Sequence, residues 1–177
     1  AKAASYAMMN LSSSLKDDAL QKMADALEHN ADYILEQNEK DLAKARQAGL
    51  SDALLDRLRL TKLRISLMAE GLRKIADLPD PLGAEDYVIK RPNGLAIGKR
   101  RVPLGVIGII YEARPNVTSD AIGLCIKSSN AMLLRGGSEA INSNIAVADT
   151  VSKAAYEAGL PEGSIQFIRD TSREGAI

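Results

Sequence analysis

The sequence predicts an α/β fold in three stretches: N-terminal helices, a β-hairpin, and half of a doubly wound parallel sheet. Three observations predict it. From Leu15 to Ile75 apolar residues recur at helical spacing. Asn93-Gly94 lies between the short apolar runs Tyr87-Val88-Ile89 and Leu95-Ala96-Ile97, a strong local hairpin signal. From Val102 onward, short continuous apolar runs alternate with helical patterns, the rhythm of parallel strands joined by crossover helices.

The elements follow in order. Leu15, Ala19, Leu20, Met23, Ala24 and Leu27 share one face of a first helix. Ser14, with Asp17 three residues on, resembles a capping box with a shorter acid. His29 and Asn30 interrupt the pattern. A second helix puts Tyr33, Ile34, Leu42 and Ala45 on one side. Glu36–Lys40 is a favourable pair on it and Lys40–Lys44 an unfavourable one. Gly49 closes it. Ser51 and Thr61 are N-cap candidates for helices over Ala53–Leu58 and Leu63–Ile75. The prolines of Leu78-Pro79-Asp80-Pro81 forbid further helix. The hairpin carries Lys90, Arg91, Lys99, Arg100 and Arg101. These charges either face an anionic partner or are solvated and discourage edge pairing, which is the commoner meaning of such a run.

Gly105–Tyr111 reads as a strand buried on both faces, because it is apolar without alternation. Pro115–Ser128 is a crossover helix, Ala131–Leu134 a second buried strand, and Arg135–Ser138 a turn. Glu139–Ala158 is a second crossover helix, ended by Gly159 and Pro161, and Ser164–Ile168 a third strand. This βαβαβ order implies right-handed crossovers, here with helices on both sheet faces and an open edge at the third strand. The expected organisation is a helical segment over 1–83, a hairpin over 84–101 and a partial α/β domain over 102–177. A start at Ala1 without Met, and an end just past a half-sheet, lead us to expect the N-terminal part of a longer protein.

Composition excludes several functions. The 177 residues hold 23 Lys plus Arg and 23 Asp plus Glu, a poor balance for general nucleic-acid or membrane-surface binding. Aromatics are 3% with no Trp, which argues against base-stacking platforms. A single Cys and a single His exclude a disulfide framework and a Cys-rich or His-pair metal site, so no metal is expected. No apolar run reaches the ~18 residues of a membrane span, and no signal peptide opens the chain. A cytoplasmic protein is the expectation.

Ligands of open α/β sheets bind beyond the carboxyl ends of the strands. Two such ends carry chemistry. After the second strand comes Arg135-Gly136-Gly137-Ser138. A basic residue there pairs with the 2′-phosphate of NADP, where an acid would select NAD. Two glycines let the backbone approach an anion, and Ser138 supplies a hydroxyl. The same four residues also suit a plain tight turn with a solvated Arg. The G-x-G-x-x-G and G-x-x-x-x-G-K-[ST] motifs are absent. After the first strand, Asn116 opens a helix, where its amide could donate to a developing oxyanion or act as a cap. Arg114 could pair with an anionic substrate group or stand as a surface Arg. Cys125 lies within an apolar helix face and reads as a small hydrophobe rather than a nucleophile. His29, at a helix end, reads as a capping or dipole residue.

The run Arg100-Arg101-Val102-Pro103-Leu104-Gly105-Val106-Ile107-Gly108-Ile109-Ile110-Tyr111-Glu112-Ala113-Arg114-Pro115-Asn116-Val117-Thr118 resembles the signature of the gamma-glutamyl phosphate reductase family, within the aldehyde dehydrogenase superfamily. Ser129-Asn130-Ala131 and Leu134-Arg135-Gly136-Gly137-Ser138-Glu139-Ala140 are similar to the family's next block. Asn38-Glu39-Lys40-Asp41, Gly49-Leu50-Ser51 and Asp77–Gly83 fit its N-terminal helices. The resemblance implies the aldehyde dehydrogenase fold and NADPH-dependent reduction of L-glutamyl 5-phosphate to glutamate 5-semialdehyde and phosphate, in proline biosynthesis. In that chemistry a Cys thiolate forms a thioester, which hydride then reduces. The resemblance assigns Arg135, Gly136, Gly137 and Ser138 to the cofactor ribose and Asn116 to the oxyanion hole. It makes the hairpin an oligomerisation ribbon, hence a homo-oligomer. The family's nucleophile does not match Cys125, so these 177 residues alone are expected to be inactive. Two other classes stay open on the residues: a superfamily member acting on a free aldehyde, and a non-catalytic binding or assembly module.

Overall fold

The computed structural model describes residues 1–83, 85–112 and 114–172. In chain order these form α1 (Lys2–Met8), α2 (Ser13–His29), α3 (Ala31–Gln47), α4 (Asp52–Leu58), α5 (Lys62–Asp77), β1 (Glu85–Lys90), β2 (Ala96–Arg100), β3 (Val106–Ile110), α6 (Asn116–Lys127), β4 (Ala131–Arg135), a 3₁₀ turn (Ser138–Ala140), α7 (Ile141–Glu157) and β5 (Ile165–Phe167). Ala113 of the signature run and residues 173–177 fall outside the described set.

Local signals place most of these elements. Thr61 caps α5, its hydroxyl accepting the Arg64 N–H at 3.1 Å. Glu36 and Lys40 pair at 3.2 Å. The cap of α2 is Ser12, which accepts from the Leu15 N–H at 3.2 Å, and not Ser14, whose hydroxyl bonds Ser12. Ser51 precedes α4 without a side-chain cap. Helix α1 is too short to show a period. Its Ala4, Ser5 and Met8 are buried by packing.

The parallel sheet has the order β3-β4-β5. Register places Ile107 beside Met132 and Ile109 beside Leu134, with Ile165 and Phe167 completing the two rows. These residues join one core with Leu20 and Met23 of α2, Leu72 of α5, Ile122 and Ile126 of α6, and Val147 and Val151 of α7. Both crossover helices therefore lie on one face, and the expectation of helices on both faces is not met among the described residues. Sequential strand order with crossovers of one hand requires this. The same geometry corrects the reading of β3 as buried on both faces. It is an outer strand whose alternate residues face away from the helices, so Ile110 is 72% exposed. Strand β4, in the middle, is the buried one.

Helices α5 and α6 approach closely because α6 carries Gly123. A Cβ there would lie 2.7 Å from Leu72 Cδ2. Two buried lysines tie the helix layer together. Lys16 Nζ pairs with Asp80 at 2.6 Å and donates to the Lys127 carbonyl and the Ser129 hydroxyl, both at 3.1 Å. Lys127 Nζ pairs with Asp17 at 2.6 Å and donates to the Ala76 carbonyl at 2.7 Å.

The hairpin is a separate two-stranded sheet, with Ile89 opposite Ile97 and Val88 opposite Gly98. Gly94, at φ +83, closes the turn by donating to the Arg91 carbonyl at 2.9 Å. Val88, Ile89 and Ile97 are all exposed.

Candidate functional site

The carboxyl ends of β3 and β4 are joined by a polar chain. Tyr111 follows β3, and its N–H donates to the Arg135 carbonyl at 3.1 Å. Its hydroxyl meets Thr118 Oγ1 of α6 at 2.5 Å, and Thr118 in turn donates to Asn144 Oδ1 of α7 at 3.2 Å. Thr118 spends its one hydroxyl proton on Asn144, so the phenol is the donor in its pair, and burial pushes the Tyr111 phenol up to about 12, against the opposing effect of the Thr118 bond. Asn144 is fully buried, and its Nδ2 has no partner among the described residues. That amide lies against Gly136, where a Cβ would sit 2.1 Å from Asn144 Nδ2 and 3.4 Å from Tyr111 Cε2. Gly136 is thus a glycine for a packing reason that its sequence context does not disclose.

The start of α7 is held by α3. Asp41, 1% exposed, accepts from the backbone N–H groups of Asn142 at 3.2 Å and Ser143 at 2.8 Å, and from both their side chains at 2.6 Å. Asn38 bridges the Leu58 carbonyl, the Leu60 N–H and the Ser143 hydroxyl. Free N–H groups at a helix start attract anions, but here the protein's own Asp41 takes them. An anion at this corner must instead rely on Arg135 and Ser138. Ser138 is exposed at the start of the 3₁₀ turn, behind Gly137. Arg135 bends toward the segment after β5, donating from one Nη to the carbonyls of Thr171 at 3.2 Å and Ser172 at 2.7 Å. Its Nε is buried without a partner among the described residues. A guanidinium carries five N–H donors, and the second Nη has no partner among the described residues. The corner thus presents a cation, a hydroxyl and a fitted glycine side by side.

The second strand end opens on a cavity of about 380 Å³ between the α4–α5 corner and the start of α6, within the range of small-molecule sites. Leu60, Met68 and Pro115 form buried apolar walls. Arg57, Arg59, Arg64 and Arg114 surround it, with Asn116 and Asp120 on α6. Arg64 is engaged by Asp56, at 3.0 and 3.2 Å. Arg59 and Arg114 are exposed, with no ion pair among the described residues. Asn116 is the first residue of α6, but its side chain does not cap the helix. Its Nδ2 donates to Asp120 Oδ2 at 3.1 Å, leaving a second amide hydrogen. Burial raises the Asp120 carboxyl above its usual range, partly offset by the Asn116 bond.

The structure therefore brings Arg114 and Asn116 together, and keeps Arg135, Gly136, Gly137 and Ser138 at the neighbouring strand end. Asp120, Tyr111, Thr118, Asn144 and Asp41 carry no site role in the sequence reading. For Asp120 alone a signal existed, its i,i+4 spacing from Asn116. Cys125 is buried, and burial pushes its thiol up to about 11, which suits a core residue and not a nucleophile. His29 Nδ1 lies 2.7 Å from the Asp25 carbonyl at the end of α2. Among the described residues no helix is long and apolar enough to cross a membrane.

Known proteins resemble this chain along its whole length. A curated gamma-glutamyl phosphate reductase from Clostridium botulinum is 58% identical over 98% of the chain, which spans 42% of that protein. The crystal structure of the Thermotoga maritima gamma-glutamyl phosphate reductase matches with a TM-score of 0.96 at 41% identity, over 98% of this chain and 42% of that one. An acetylating aldehyde dehydrogenase from Geobacillus thermoglucosidasius matches with a TM-score of 0.73 at 18% identity, over 99% of this chain and 36% of that one, a likeness of fold alone. No protein-family model matches the chain.

Proposed function

The chain belongs with the gamma-glutamyl phosphate reductases, whose N-terminal part it matches, and on that premise we propose that its protein reduces L-glutamyl 5-phosphate to L-glutamate 5-semialdehyde and phosphate in proline biosynthesis, in the cytoplasm. The observation that carries this reading is the 58% identity over 98% of the chain. NADPH, when bound, supplies the hydride. Arg135 and Ser138 hold its 2′-phosphate and ribose, and Gly136 and Gly137 let the backbone come near. Asn116 donates its second amide hydrogen to the oxyanion that develops at the substrate carbonyl. Arg114 pairs with an anionic group of the substrate. The nucleophilic thiol is supplied from outside these 177 residues, so the chain alone is inactive. Expressing the full-length protein and following NADPH formation from glutamate semialdehyde and phosphate tests the reading. Absence of that activity in a protein with an intact downstream Cys refutes it.

The cofactor role of Arg135 has its own test. Arg135→Glu should weaken NADPH about tenfold or more, the scale of a lost charge-assisted hydrogen bond, and NADH by less than about threefold. Equal losses for the two nucleotides would remove the 2′-phosphate role.

We also propose that the hairpin assembles copies of this protein. An isolated two-stranded sheet is marginal in water, and this one exposes Val88, Ile89 and Ile97. Replacing Ile89 and Ile97 together with Lys should turn the oligomer into monomers in sedimentation velocity. An unchanged sedimentation coefficient would show that assembly uses another surface.

A further inference from the structure

We propose that the cavity between α5 and α6 is an amino-acid recognition subsite, in which Asp120 receives the substrate's α-ammonium while Arg59 and Arg114 receive its α-carboxylate. This rests on the reading above and extends it from the reacting end of the substrate to the other end. The charge pattern supports it. The cavity pairs two arginines that have no ion-pair partner among the described residues, Arg59 and Arg114, with one partly buried carboxylate, a combination that suits a zwitterion better than a simple anion. Asp120 faces no cation among the described residues. One of its oxygens accepts from Asn116. The other lies near Gly71 of α5, where an added Cβ would meet it in ordinary van der Waals contact at 3.7 Å. A carboxylate that is partly desolvated and unpaired beside a cavity is a functional-site signal, and the raised Asp120 carboxyl agrees with it.

Spacing agrees as well. Asn116 and Asp120 stand four residues apart on α6, about 6 Å along its axis. In an extended glutamyl group the reacting carbonyl carbon and the amine nitrogen are separated by four bonds, on the order of 5 Å. A substrate lying along α6 can therefore place its carbonyl at Asn116 and its ammonium at Asp120. Its methylenes then rest on Met68 and Leu67.

The test uses the full-length protein and two aldehydes, L-glutamate 5-semialdehyde and 5-oxopentanoate, which lacks the amino group. Asp120→Asn should lower kcat/KM for the semialdehyde about 10- to 100-fold, mainly through KM, the scale of a lost charge-assisted contact. For 5-oxopentanoate it should change kcat/KM less than about threefold. Equal losses for both aldehydes would make Asp120 only a support for the Asn116 amide and overturn the proposal. Calorimetry with L-glutamate and glutarate separates this outcome from a failure of the reductase reading, because it needs no turnover. Wild type should prefer L-glutamate about tenfold, and Asp120→Asn should abolish the preference. Equal affinities in wild type, or no binding of either, would also overturn it.

Discussion

Lys16→Met is expected to destabilise the protein by about 3–5 kcal/mol, the range for removing one partner of a buried ion pair. Lys16 is 1% exposed. Its ammonium holds the Asp80 carboxylate, the Lys127 carbonyl and the Ser129 hydroxyl, and a thioether offers none of them a donor. The urea midpoint should fall with little change in m. Adding Asp80→Asn should recover part of the loss, because the stranded charge is then gone. A loss below about 1 kcal/mol would show that the lysine is effectively solvated.

The effect should depend on pH in one direction. Burial by itself raises the Asp80 carboxyl, but the Lys16 ammonium, the Ser13 hydroxyl and the Leu82 N–H outweigh it and hold it below the usual range. The unfolded chain then binds the proton first, at about pH 3.9. The stabilisation is present above that pH and is lost as pH falls through the lower, folded value. The stability gap between wild type and Lys16→Met should be full near neutrality and narrow below about pH 4.

Gly136→Ala is expected to have the second largest effect. The new methyl would sit 2.1 Å from Asn144 Nδ2 and 3.1 Å from its Cγ. Asn144 is fully buried and cannot swing aside without losing the bond from Thr118. Either α7 or the end of β4 must yield. Overpacking of this kind costs about 1–3 kcal/mol. Because Arg135 and Ser138 flank Gly136, the strain falls on the corner proposed to hold NADPH, and on that proposal NADPH affinity should drop about tenfold. Asn144→Ala in the same protein removes the obstructing amide and should restore most of the stability. If the single variant keeps wild-type stability and affinity, the β4 end is looser than its geometry indicates.

Much of this fold was legible because its signals are local. Asn93-Gly94 closes its hairpin through its own backbone, Thr61 caps the helix that follows it, and the βαβαβ rhythm needs only apolar periods. The corner proposed to hold the nucleotide was legible as residue types in a turn. The oxyanion candidate was legible as an Asn near a helix start, although its side chain bonds Asp120 and does not cap the helix. Lys16 was readable as a position, four residues before Leu20 on the apolar face, but not as a buried charge.

By itself, then, the sequence determined which segments after α1 are helix or strand, their order, and the residue types at the two strand ends, since these depend on neighbours a few positions away. Only the tertiary structure decided that β3 lies at an edge, that Asp41 occupies the start of α7, that Gly136 rests on Asn144, and that Asp120 shares a cavity with Arg59 and Arg114. The partners in such contacts can be far apart in the chain, as Asp41 and Ser143 are at 102 positions. Burial of a charge depends on whether a distant segment brings a counter-group to it, and no period or propensity along the chain encodes that.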